Sequence, residues 1–174
     1  MVLKEQRVGV FVDVQNMYYS ARALHSAKVN FKEILKQAVN GRKLIRAIAY
    51  AVRAGEKDED YFHKALEGIG FEVKLKDLQI FYGGNKKADW DVGLSIDSIE
   101  LAPRLDVVVL ISGDGDYVPL IEHLKRALGC RVEVLAFRRS TSTKLVESCD
   151  GFYDLDDKRF ILKSNDLNRK RTQT

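Results

Sequence analysis

The sequence predicts an α/β fold, a three-layer α/β/α sandwich around a mostly parallel sheet, on three observations. Short apolar runs rich in β-branched residues recur along the chain, the clearest being Val107 to Ile111, whose unbroken apolar character suits a strand buried on both faces. Stretches of helical period separate these runs, and Gly, Asn or Asp residues punctuate the junctions. Strand and helix alternating in this way call for parallel pairing with right-handed crossovers. The chain has 174 residues, enough for one domain with a two-sided core. That domain is expected over residues 1–160, with 161–174, which end in a polar segment containing Arg169-Lys170-Arg171, as a basic, mobile tail.

In chain order, Arg7 to Val14 (RVGVFVDV) reads as a strand whose end carries Asp13. A carboxylate at a buried strand end is costly without a cation, hydrogen-bond donors or a metal. Asn16 opens a helical stretch from Met17 to Ser26, where it either caps the helix or presents its amide to the same pocket. Asn30 with Glu33 resembles a capping box for a helix over Phe31 to Val39 that stops at Gly41. Leu44 to Val52 is a third strand, ending at Arg53. Asp58 to Glu67 is a helix closed by Gly68 or Gly70. Strand signals follow at Phe71 to Lys76 and Leu78 to Tyr82, then a turn at Gly83-Gly84-Asn85 and the pair Lys86-Lys87.

The next helix, Asp89 to Leu101, repays a wheel analysis at about 100° per residue. Asp91, Ser95, Ser98 and Ala102 fall on one stripe, with Val92, Ile96 and Ile99 on one side and Trp90, Leu94 and Leu101 on the other. The stripe therefore lies within the apolar face, and Asp91 points inward from the first turn toward the sheet edge. Asp97 falls beside the Trp90 and Leu101 flank and is less clearly aimed. A dipole role at the helix N-terminus explains an outward Asp91 equally well, so its inward phase favours function.

The central run continues as Ser112-Gly113-Asp114-Gly115-Asp116 and then a helix over Tyr117 to Leu128, with Pro119 tolerated in its first turn and Gly129 as its stop. One Asp suffices for a cap, so two acids in this turn leave one carboxylate unexplained by capping. Arg131 to Phe137 is a further strand, followed by Arg138-Arg139, a short helix over Thr141 to Ser148 capped by Ser140, and a last strand at Phe152 to Leu155.

Net charge is +4, a mild lean toward anionic partners. The charged start and the absence of any apolar run near the roughly 18 residues needed to span a bilayer predict a cytosolic protein without a membrane partner. Cys130 and Cys149 lack a CxxC spacing and read as reduced packing residues. His25, His63 and His123 lack metal-ligand spacing. No GxxxxGK[ST], GxGxxG after the first strand, or GxSxG is present, which excludes those nucleotide cradles and a serine elbow.

In such a sheet Asp13 and Asp114 end adjacent central strands and Asp91 enters from a helix start, so acids from distant sequence converge on one edge. An all-oxygen set selects a hard cation, Mg²⁺ or Mn²⁺, which keeps waters and binds a substrate phosphate. Arg53, Lys86, Lys87, Arg138, Arg139 and Lys144 at the same edge suit a phosphate backbone, though each alone also reads as a solvated surface charge.

These residues also carry a resemblance. VGVFVDVQNMYY, KKADWDVGLSIDSI and VVLISGDGDYVPLIEHL lie in order and resemble the motifs of the NYN domain, in the LabA-like branch of the PIN-like nuclease superfamily, across about residues 5–157. The resemblance implies a Rossmann-like sheet and a Mg²⁺- or Mn²⁺-dependent ribonuclease. It carries the catalytic and metal-binding acids over to Asp13, Asp91, Asp114 and Asp116, with Asn16, Ser112 and Asp97 supporting. A glycine common after the lysine of the middle motif is replaced around Lys87 to Trp90, so Asp89 competes with Asp91, which is preferred by phase. Single-stranded RNA is the implied partner, and a homodimer is compatible with the sequence. The rival reading is a catalytically weak nucleic-acid-binding or regulatory module on the same fold.

Overall fold

The computed structural model describes residues 3–84 and 86–163, with the backbone alone at Lys86 and Lys87. Its elements run β1 (Arg7–Asp13), α1 (Val14–His25), β2 (Lys28–Val29), α2 (Phe31–Val39), β3 (Lys43–Arg53), α3 (Glu59–Ile69) and β4 (Glu72–Asp77). A hairpin of β5 (Gln79–Ile80) and β6 (Lys86–Lys87) leads into α4 (Asp91–Leu101), β7 (Val107–Ile111), α5 (Val118–Arg126), β8 (Arg131–Ala136), α6 (Thr143–Ser148), β9 (Gly151–Asp154) and β10 (Ile161–Leu162). Six strands form the main sheet in the order β4-β3-β1-β7-β8-β9, every pairing parallel. Helices flank it, as parallel strands joined by crossovers require. The α/β sandwich with a parallel sheet is therefore the observed architecture. Two-residue strands form small antiparallel pairs, β10 with β2 and β5 with β6.

The centre of the sheet is apolar because its sequence is. Val8, Val10, Phe11 and Val12 of β1 and all five residues of β7 are buried, so both faces of the central strands are covered. At roughly 1.5–3 kcal/mol for each fully buried Val, Ile or Phe side chain, these nine residues contribute on the order of 20 kcal/mol to the gross driving force. Burial gives way at the carboxyl ends, where the partly buried Asp13 terminates β1 and Asp114 to Asp116 follow the still buried Ser112 and Gly113 after β7. The two strands that lead to Asp13 and Asp114 are neighbours, in the register Val12 opposite Ile111.

Several local expectations are corrected. Helix α1 begins at Val14, not Met17, because Asp13 is its cap: the Asp13 carboxylate accepts from the Asn16 N–H at 3.1 Å. The short helix α6 is preceded by Ser142, while Ser140 ends a 3-10 turn over Arg138–Ser140 and donates to Ser20 Oγ and Phe137 O. On α4 the buried face centres on Leu94 and Ser98, and Val92 and Ile96, which the wheel places beside the sheet, are exposed at 70% and 50%. The helix meets the sheet instead along the Trp90, Leu94 and Leu101 flank, which turns Asp97 inward onto β3 and β4. The basic tail expected after residue 160 lies outside the described residues from 164 onward, while Ile161–Leu162 pair with Lys28–Val29. Among the described residues no helix is long and apolar enough to cross a membrane.

Candidate metal centre

Four carboxylates meet at the carboxyl edge of β1 and β7. Asp91 is the first residue of α4. Asp114 and Asp116 come from the turn after β7. One carboxylate oxygen from each of these three lies within 4.8 Å of the others. Coordination at about 2.1 Å places oxygens about 3 Å apart in adjacent positions and about 4.2 Å across an octahedron, so small side-chain adjustments suffice to close a shell. The triad can therefore hold a divalent metal. Its donor chemistry fits a hard ion, all of it carboxylate oxygen, with Asp116 exposed and leaving room for water or a phosphate.

Asp13 stands outside that triad. It is drawn back by its own hydrogen bonds: one oxygen caps α1, while the other accepts from Ser112 Oγ at 3.3 Å and from the Tyr117 hydroxyl at 3.4 Å. Tyr117 also donates to Asp91 Oδ1 at 3.1 Å, so a fully buried phenol couples the rear carboxylate to the front group. Among the described residues no cation pairs with Asp13, Asp91, Asp114 or Asp116. The electrostatics follow. Burial, reinforced by the charges of Asp91 and Asp114, pushes the Asp13 carboxyl up to about 6 against the Asn16 and Ser112 hydrogen bonds. Burial and the charges of Asp89, Asp114 and Asp116 raise Asp91 as well, although Tyr117 opposes them. Burial raises the Tyr117 hydroxyl first of all, and the nearby Asp13 and Asp91 keep it protonated and donating.

The acid loop is braced on both sides. Asn16 does not cap its helix; its Oδ1 accepts from the Gly113 N–H at 2.9 Å, fixing the loop to α1. Ser112 Oγ accepts from the Asp114 N–H, and Asp114 caps the 3-10 turn over Gly115–Tyr117 by accepting from the Asp116 N–H. Asp114 thus caps and clusters, and Asp116 is the acid that capping leaves over. Both loop glycines are required by packing. A Cβ on Gly113 would stand 3.1 Å from Ser140 O and 2.8 Å from Thr141 Oγ1, and one on Gly115 would stand 2.8 Å from Ser142 Oγ.

The remaining expected residues divide. Asp89 is outside the triad, though its charge reaches Asp91, and its carbonyl accepts from Lys76 Nζ. Asp97 accepts from the Tyr50 hydroxyl at 2.7 Å and pairs with Lys74 at 2.6 Å, an arrangement that ties α4 to β3 and β4 apart from the triad. Arg53 is 3.6 Å from Asp77. The Arg139 guanidinium is engaged by both oxygens of Asp156, which also meets His25. Arg138 lies against the Phe152 ring, and Lys144 is exposed in the first turn of α6. The side chains of Lys86 and Lys87 lie outside the described residues.

Tyr117 escaped the sequence reading. It begins the buried stripe Tyr117, Leu120, Ile121 and Leu124, and so reads as core; the only signal for its hydroxyl is its place directly after an acid turn. Tyr117→Phe is expected to cost about 1 kcal/mol in denaturant unfolding, because two partly buried carboxylates lose the one hydroxyl proton they share. A cost near zero would mean that the hydroxyl is dispensable to the fold.

Comparison with known proteins gives three findings. The family model described as the NYN domain matches residues 7–156. The chain is 28% identical over 174 residues to the low amplitude and bright protein LabA of Synechococcus elongatus, covering 95% of this chain and 92% of that protein. It is similar to the crystal structure of a protein of unknown function from Vibrio parahaemolyticus, with a TM-score of 0.85 and 34% identity, over 93% of this chain and 99% of that one.

Proposed function

The chain belongs to the NYN domain family, and on that premise we propose that it is a metal-dependent ribonuclease that hydrolyses phosphodiester bonds in single-stranded RNA. The observation that carries this reading is the carboxylate triad Asp91, Asp114 and Asp116, gathered without a cation partner among the described residues at the edge where parallel sheets bind ligands. A module that only binds nucleic acid has no use for concentrated negative charge opposite a phosphate backbone. An enzyme that recruits a divalent ion does.

Asp91, Asp114 and Asp116 would hold Mg²⁺ or Mn²⁺. When bound, such an ion supplies charge neutralisation for the phosphoryl oxygens and lowers the pKa of a bound water. The chain's own groups do the rest. Asn16 and Ser112 fix the loop that carries two of the acids. Tyr117 holds the Asp91 carboxylate in position and links it to Asp13. Asp13 adds negative charge from behind, and so favours cation binding at the front.

The direct test is cleavage of labelled single-stranded RNA with Mn²⁺, against EDTA and against Asp114→Asn. Loss of cleavage in both controls is the expected result. Wild-type protein that binds RNA without metal-dependent turnover would replace this reading with that of a binding module.

The basic residues give a separate expectation. Charge reversal at Arg53 and Arg138 should weaken RNA binding and lower the salt slope by roughly one unit or less for each phosphate that is no longer neutralised. In turnover, the effect should show in KM, since groups remote from the reacting phosphate contribute uniform binding. A fall in kcat at saturating substrate would place these arginines at the chemistry instead.

A further inference from the structure

The β5–β6 hairpin presents apolar side chains that the fold does not use. Ile80 is 69% exposed, Phe81 49%, and Tyr82 fully exposed. Aromatic side chains bury roughly 150–250 Å² each when they find a partner, so leaving two of them in water at a turn is unfavourable unless something covers them.

The base of the hairpin is firmly held. Leu78 N–H donates to Arg53 O, so the hairpin leaves from the joint carboxyl end of β3 and β4. On the return side, Trp90 Nε1 donates to Ala51 O at 2.8 Å, its ring packs on Tyr50 with centroids 5.3 Å apart, and Lys76 lies 4.7 Å over it. Lys76 also donates to the Asp89 carbonyl. From the end of β6 at Lys87 to Asp91 is four Cα steps, at most about 14 Å of chain. The exposed rings therefore extend from a stem anchored at the carboxyl edge of the sheet, the edge that also carries the acid triad, with Asp91 within about 14 Å of chain from the end of β6.

We propose that this hairpin is a base-stacking arm for single-stranded RNA, with Phe81 and Tyr82 as platforms for bases of the strand that crosses the acid triad. The proposal rests on the ribonuclease reading and names how that site would take hold of its substrate. Exposed aromatic faces at an edge that takes up phosphate are the makings of a single-strand platform, and Phe81 and Tyr82 offer two such faces side by side in the chain. Area argues against a second copy of the chain as occupant. A stable dimer buries about 800 Å² per partner, whereas three side chains at this tip offer about 600 Å² at most. Two bases need no more than that.

The test compares wild type with Phe81→Ala/Tyr82→Ala and Phe81→Trp/Tyr82→Trp, using a short single-stranded RNA carrying a 2-aminopurine reporter, in EDTA so that no cleavage occurs. With stacking contributing about 1–3 kcal/mol per base, the alanine pair, which removes both platforms, should bind at least about thirtyfold more weakly. Its salt slope should be unchanged and its reporter fluorescence no longer quenched, while the tryptophan pair should keep both affinity and quenching. Because both side chains are exposed, melting temperatures should not move. Affinity unaltered in the alanine pair overturns the proposal, as does a wild type that fails to bind single-stranded RNA. A change in mass by light scattering with RNA affinity intact also overturns it, in favour of a protein-facing surface. Wild type that binds and quenches but never cleaves overturns the ribonuclease reading and leaves the arm standing.

Discussion

Asp114→Asn is expected to lower metal-dependent RNA cleavage by more than about a hundredfold while the protein stays folded and binds RNA in Ca²⁺ or EDTA at least as tightly as wild type. Removing an outer partner of a metal ligand typically costs about 10–100-fold in affinity or activity, and Asp114 would be a ligand itself. Asn keeps the side-chain oxygen that accepts from the Asp116 N–H, so the 3-10 turn retains its cap. What disappears is one negative charge among carboxylates that lie within 4.8 Å of one another, with no cation partner among the described residues. Relief of that repulsion should leave the apoprotein's melting temperature unchanged or higher, and a phosphate backbone should approach more easily. Rates measured across a Mn²⁺ titration, beside a melting curve in EDTA, check both halves. A variant that loses cleavage and stability together would mark Asp114 as a structural cap.

The fold was legible because its central strands are chemically unambiguous. Val107 to Ile111 and the core of β1 offer no polar position for a solvent face, so a parallel, doubly covered sheet is the arrangement that satisfies them. The two-residue strands β2 and β10 were not legible, because so short a segment has no period and forms through tertiary contact alone. The site was legible in its acids and less so in their roles. Asn16 reads in sequence as a cap or as a pocket amide, and Asp13 as a strand-end acid; only the packed structure shows that Asp13 caps α1 while Asn16 reaches Gly113. On α4 the wheel returns the correct side for Asp91 but makes the apolar face too wide. Val92 and Ile96 count as apolar in sequence whether or not a strand lies beneath them, and here none does. The pairings of Lys74 with Asp97 and of Arg139 with Asp156 join segments 23 and 17 residues apart, a distance at which sequence offers no register.

Stability should also depend on pH through Asp13, whose carboxyl is held at about 6 in the folded protein, against an ordinary value of 3.8, chiefly by burial. Between those two values the folded chain binds more protons at this position than the unfolded chain. Stability from this group is therefore highest below about pH 4 and falls as pH rises through 6, with the full penalty present at neutral pH. Two pK units correspond to roughly 3 kcal/mol, an upper figure for one group. Asp13→Asn removes the ionisation, and Asn caps a helix about as well as Asp, so the α1 cap at the Asn16 N–H survives. The expected result, in EDTA, is a stability difference between Asp13→Asn and wild type that is near zero at pH 4 and grows to as much as about 3 kcal/mol in favour of the variant by pH 7. Taking the difference matters, because Glu133 and Asp106, both held below the usual carboxylate range by arginines, lend stability of the opposite pH dependence that cancels between the two proteins. A divalent cation should shrink the difference, since its positive charge at the triad favours the ionised Asp13. If the difference is flat with pH, Asp13 carries its charge at no cost, and the acid cluster is compensated by a partner other than a metal.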